Sequence, residues 1–159
     1  MPRIKKILVP VDFSDYSKST VEYAVLLAGR FHASIDLVHV IEPFAYDVTD
    51  TAQVVDHYGA LIRIADRLMI NARERITRRG IKVRSLVLRG SPAPEIVNEA
   101  RRRRADLIIM GTHGRTGLEH LMLGSVAERV VRLAPCPVLT VRSGRRSTRR
   151  THRKPLPLI

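Results

Sequence analysis

The sequence predicts an α/β fold: a single domain built on a five-stranded, mainly parallel sheet with helices on both faces. Three observations lead there. Apolar runs of strand length alternate with stretches of helical periodicity along the chain. One run, "LIIM" at 107–110, is apolar without interruption, as a strand covered on both sides must be. The chain has 159 residues, 45% of them hydrophobic and 27% charged, which suits one globular unit with a full core. Strands separated by helices join through right-handed crossovers, and those make neighbouring strands parallel.

The first strand is "KILVPV" at 6–11, ended by Asp12. Ser14 or Ser17 then caps a helix whose apolar positions are Val21, Ala24, Leu27, Ala28 and Phe31. "SIDLVHV" at 34–40 is the second strand, broken by Pro43. Next, Val54, Tyr58, Leu61, Ile62, Ala65, Leu68, Met69, Ala72 and Ile76 recur at three- and four-residue steps, one face of an amphipathic helix that Gly80 stops. "KVRSLVL" at 82–88 is the third strand, and Ser91-Pro92 opens a short helix running to Arg101–Arg104. "ADLIIMG" at 105–111 is the fourth strand. After a glycine-bearing loop comes a helix from Ser125 to Leu133, and "PCPVLTV" at 135–141 closes the sheet. In sheets of this kind ligands bind beyond the carboxyl ends of the strands, where the winding reverses. Those ends carry Asp12, the Val40-Ile41 step, Gly90 and Gly111.

Charge and cysteine content narrow the function. The formal net charge is +13. About half of that excess lies from Arg142 onward, in a segment with seven basic residues and no acid, so it says little about the folded body. Domain organisation follows: residues 1–142 form the domain and 143–159 a basic tail. Cys136 is the single cysteine, which excludes an internal disulfide and a multi-cysteine metal site. No apolar run approaches the roughly 18 residues of a membrane span, and the opening residues lack the pattern of a signal peptide, so a cytoplasmic protein is expected.

The loop "GTHGRTGLEHLMLGS" at 111–125 carries the strongest signal. It is not a P-loop, because no lysine occurs between residues 83 and 153, and no G-x-G-x-x-G follows the first strand. Its spacing is Gly111-x2-Gly114-x9-Gly124-Ser125, with the serine at a helix start. Backbone amides at 124–126 would face an anion there, the helix dipole would favour it, and the Ser125 hydroxyl would add one bond. A merely flexible loop is the alternative.

With this motif the chain resembles the universal stress protein (UspA) family, in its ATP-binding branch. "KKILVPVDFS", "LVHVIEP" and "GSVAERVVRLAPCPVLTV" extend the resemblance across about residues 3–142. The resemblance implies a Rossmann-like, adenine nucleotide alpha hydrolase-like sheet of order 3-2-1-4-5, with Asp12 facing Gly111 across the switch point. It further implies that Pro10, Val11 and Asp12 line a nucleoside, the Asp12 carboxylate accepting from the ribose hydroxyls. The Val40 backbone would read the adenine edge and Met110 and Gly111 would flank the sugar. Gly114, Gly124, Ser125 and Val126 would hold the phosphates. Apart from the resemblance, Arg115, the only arginine in the loop, could lean on the phosphates or equally be an exposed loop residue. A triphosphate held mainly by neutral backbone amides would benefit from Mg²⁺ as a companion. ATP is the implied cofactor, and a homodimer through Val138 to Val141 the implied assembly. The function so implied is a nucleotide-dependent regulatory or stress-response module. Any hydrolysis would be slow, since no nucleophile and base pair or metal cluster can be named.

Plainer readings compete at each residue. Asp12 is also suited to capping a helix, and Ser125 is expected to be the N-cap of its helix. His39, inside an apolar strand, reads as a satisfied core histidine, while His113 and His120 lie in or beside the loop. Cys136 reads as a small packing residue, and Arg101–Arg104 as a solvated helix end. The arginine-rich tail suits non-specific attraction to nucleic acid, a less favoured second function, or to acidic membrane, or it is a solvated extension. A nucleotidyl-transfer enzyme of related fold is a further alternative, though neither a "HIGH"-type step nor an "SGGxDS" loop is present.

Overall fold

The computed structural model describes residues 3–43, 51–112 and 123–142, with backbone alone for 15–16 and 51–58. The elements run β1 (Lys6–Pro10), α1 (Asp15–Phe31), β2 (Ser34–Ile41), α2 (Thr51–Thr77), β3 (Val83–Arg89), α3 (Pro92–Arg103), β4 (Leu107–Gly111), α4 (Ser125–Leu133) and β5 (Val138–Val141). They form one sheet of order β3-β2-β1-β4-β5, every neighbouring pair parallel. The sequence expectation of five parallel strands between helices therefore holds.

Strand parity sorts the core into two layers. Ile7, Val9 and Val11 of the first strand and its extension meet Ile35, Leu37, Leu107 and Ile109 on the face covered by α1 and α2. Leu8, Val38, Ile108 and Met110 point the other way, onto Ile96 and Val97 of α3 and Ala127 and Val130 of α4. Helices α1 and α2 thus follow β1 and β2 on one face, and α3 and α4 follow β3 and β4 on the other. The winding reverses between β1 and β4.

Several ends shift from the sequence expectation for identifiable reasons. Proline lacks an N–H, so β5 begins only at Val138, although Pro137 still accepts from Ile108 N at 3.0 Å. At α1, Ser14 is the N-cap, its Oγ accepting from Ser17 N. At α4 the expectation is corrected: Gly124 is the N-cap, in extended conformation, and Ser125 is the first helical residue. Gly124 N–H donates to Thr112 O at 2.7 Å, and that bond ties the returning chain to the end of β4 before the helix can start.

One contact fastens the opposite end of the sheet. The Asp106 carboxylate accepts from the backbone amides of Lys5 and Lys6 at 2.8 and 2.9 Å, so the start of β4 holds the start of β1. Lys6 Nζ also donates to Arg103 O, the last carbonyl of α3, at 3.1 Å. Among the described residues, no helix is long and apolar enough to cross a membrane.

Candidate functional site

A cleft of about 400 Å³ opens where β1 and β4 part at their carboxyl ends. Pro10, Val11 and Asp12 form one wall and Met110, Gly111 and Thr112 the facing one. Val40 and Glu42 continue the first wall past the end of β2, and Gly124, Ser125 and Val126 close the second at the head of α4. Nine residues singled out in the sequence thus meet around one space. Gly114 and Arg115, with His113 and His120, lie outside the described residues, as does the 143–159 tail.

Three sets of polar groups border the cleft. The first is the head of α4. Glu128 N is the first amide to bond within the helix, to Gly124 O at 2.9 Å, which leaves the amides of Ser125, Val126 and Ala127 for an outside acceptor. No side chain caps them among the described residues. The expected set of amides, 124–126, therefore moves by one residue, because Gly124 is committed to Thr112.

The second set is the backbone of Val40. Val38 turns its carbonyl to the first strand, accepting from Val11 N at 2.8 Å, while Ile41 turns its carbonyl to the third, accepting from Gly90 N at 3.1 Å. In a strand the sense alternates with period two, so Val40 shares the sense of Val38. Strand β1 has ended by that level, since its last registered partner is Val38. The N–H and C=O of Val40 accordingly face the cleft.

Third is the Asp12 carboxylate. Its Oδ1 accepts from Ser14 N at 3.0 Å, from Ser14 Oγ at 2.6 Å and from Ser17 Oγ. Asp12 N in turn donates to Ser17 Oγ at 3.1 Å. Both sequence readings meet here: Asp12 braces the start of α1 and also lines the cleft. Burial pushes its carboxyl up, but the hydrogen bonds from Ser14, Ser17 and the backbone outweigh that and hold it below the ordinary aspartate value. It is ionised at neutral pH.

Glu42 is the other acid on the wall, and no lysine or arginine lines the cleft among the described residues. Nor do three metal-ligating side chains cluster among them. Cys136 is half-buried, and burial, with Asp106 nearby, pushes its thiol up, which fits a packing role. Thr112, Pro92 and Ile96 also line the cleft but were not selected in the sequence. The strand-end positions Gly90 and Gly111 were the available pointers, Gly90 lying two residues before Pro92 and Gly111 directly before Thr112.

A doubly wound sheet with a polar-edged cleft at its reversal point defines an open α/β module of the kind that takes small ligands between parting strands. The chain belongs to the universal stress protein family, whose sequence profile matches residues 3–142. It is 36% identical over 139 residues to universal stress protein MJ0531 of Methanocaldococcus jannaschii, covering 87% of this chain and 82% of that one. The solved structure of MJ0577, from the same organism, superposes with a TM-score of 0.82 at 31% identity, over 90% of this chain and 99% of the other. A universal stress protein solved in complex with cAMP shares the fold, with a TM-score of 0.68 at 24% identity over 89% and 99% of the two chains.

The Asp12 bonds generate a pH dependence. A carboxyl whose pKa is lower folded than unfolded adds stability that is fully present above the unfolded value, about 3.9, and is lost as pH falls through the folded value. The urea-unfolding stability of the chain should therefore exceed that of Asp12→Asn at pH 7, and the gap should close on acidification below about pH 4. A gap that stays constant down to pH 2 would show that the charge contributes nothing.

Proposed function

We propose that the chain binds ATP in this cleft and acts as a cytoplasmic, nucleotide-dependent regulatory module. The observation that carries the reading is the order of the polar groups along the cleft. The Val40 N–H and C=O offer one donor and one acceptor, which suits an adenine edge that presents the converse pair. The Asp12 carboxylate matches a vicinal diol, and the amides of Ser125, Val126 and Ala127 at the positive end of α4 suit phosphate oxygens. A purine nucleotide has base, sugar and phosphate in that sequence. The cAMP complex belongs to a relative of the same fold; the case for this chain is its own cleft.

Mg²⁺ fits as a companion of the nucleotide rather than a resident ion. The charged residues lining the cleft, among those described, are acids, and a triphosphate brought beside Asp12 and Glu42 needs a counter-charge. When bound, the cation would supply that neutralisation.

A second copy of the chain is the proposed partner. Strand β5 is a sheet edge, and Leu139 on it is 38% exposed, with Val131 and Leu133 of α4 also exposed. Pairing along Val138–Val141 would cover these side chains and satisfy the edge. Leu139→Arg should convert a dimer to a monomer in sedimentation; a monomeric parent chain would contradict the assembly.

Ser125→Pro tests the phosphate end. Proline is accepted at the first helical position, and Gly124 already has the extended ψ of 148° that a following proline demands. The variant should keep its stability yet bind Mg²⁺·ATP more weakly by roughly 10-fold or more, because the amide and hydroxyl donors of Ser125 to a charged acceptor are both removed. Adenosine, without phosphates, should bind both proteins equally, and omitting Mg²⁺ should weaken ATP alone. Calorimetric titration showing no saturable ATP binding to the parent chain would overturn the reading.

A further inference from the structure

The imidazole of His39 touches both neighbours of Asp12. Its Nδ1 lies 2.7 Å from the carbonyl oxygen of Val11. Its ring packs on that of Phe13, with centroids 4.5 Å apart and planes tilted by 42°. A carbonyl oxygen only accepts, so Nδ1 carries a proton and donates it to this bond. Val11 is thereby gripped twice by β2, because its own N–H donates to Val38 O at 2.8 Å. Phe13 has a φ of 62°, in the left-handed region that a bulky residue keeps only where its surroundings hold it. The contact with His39 is part of that hold.

Packing alone does not account for a histidine here. The residues of β2 on the same face, Ile35 and Leu37, are fully apolar core. His39 is only 6% exposed, and an apolar side chain would fill the place without bringing a polar group into the core. The imidazole adds a donor for the carbonyl before Asp12 and a flat surface for the residue after it. Ser14 and Ser17 fix the rotation of the Asp12 carboxylate, while His39 fixes the backbone that carries it.

We infer that His39 is a positioning residue for ribose recognition: it clamps the Val11–Phe13 turn so that the Asp12 carboxylate is set to meet the sugar diol. This inference rests on the ATP reading above. His39 also lines the cleft; the role assigned to it here is exerted through Asp12.

The test is calorimetric, on the full chain, with Mg²⁺·ATP and with Mg²⁺·2′,3′-dideoxy-ATP, which lacks the diol. The parent chain should prefer ATP by roughly tenfold or more, as expected for hydrogen bonds to a carboxylate. His39→Leu should bring the two affinities to within about twofold while leaving that for dideoxy-ATP little changed. His39→Asn, whose amide nitrogen falls near the former Nδ1, should restore the preference, whereas His39→Gln, whose nitrogen reaches past it, should not. If His39→Leu fails to fold, the comparison of Asn with Gln decides. An unaltered preference in both Leu and Gln variants overturns the inference, as does an equal loss for both nucleotides, which would mark a general packing defect. A parent chain that binds neither nucleotide removes the ATP reading itself. One that binds both equally removes the Asp12 contact with the sugar and the positioning role with it.

Discussion

The reversal of winding between β1 and β4 is the constraint on which the cleft depends. After β1 the chain turns into α1 on one face, and after β4 it leads to α4 on the other, so the two strands part at their carboxyl ends. Along the interior strands β2, β1 and β4, parallel neighbours pair the backbone on both sides. The backbone pairing between β1 and β2 ends with the bond from Val11 N to Val38 O, and the polar groups of Val40 face the cleft beyond it. On the other wall the head of α4 has the same character, with amides that the helix itself cannot satisfy. The fold thus brings unpaired backbone polar groups from two walls to one cleft, between its two apolar layers.

Electrostatics then divides the cleft into two ends. Asp12 is kept ionised by serine hydroxyls despite partial burial, while the α4 head presents the positive end of a helix dipole. An anionic ligand bearing hydroxyls would be favoured with its charge toward α4 and its hydroxyls toward Asp12. The far end of the molecule has the opposite bias, since arginines occupy the last turns of α1, α2, α3 and α4, where cations suit the helix carbonyls. There Glu99, buried, takes Arg102 and Arg103 at 2.5 and 2.7 Å.

Much of this was legible in the sequence, and the remainder was not for physical reasons. Alternating periodicities revealed nine elements, because the apolar repeat of each matches its own geometry. Strand order came only from the family resemblance, since periodicity says nothing about which strands are neighbours. The glycine spacing marked the loop and the helix behind it, but which residue caps α4 depended on the bond from Gly124 to Thr112, invisible in a one-dimensional pattern. The grip of Asp106 on Lys5 and Lys6 spans about a hundred residues and left no local trace. His39 read correctly as a satisfied core residue; that its partner is the carbonyl next to Asp12 required the register of β1 against β2.

Amide chemical-shift mapping during titration with Mg²⁺·ATP tests the central claim most directly, because the cleft is made largely of backbone. Saturable shifts should gather at Asp12, Val40, Gly111 and Ser125 to Ala127, with Lys5, Lys6 and Asp106 at the opposite end of the sheet unmoved. Shifts confined to arginine-rich surfaces, or none that saturate, would contradict the account and leave the cleft without its ligand.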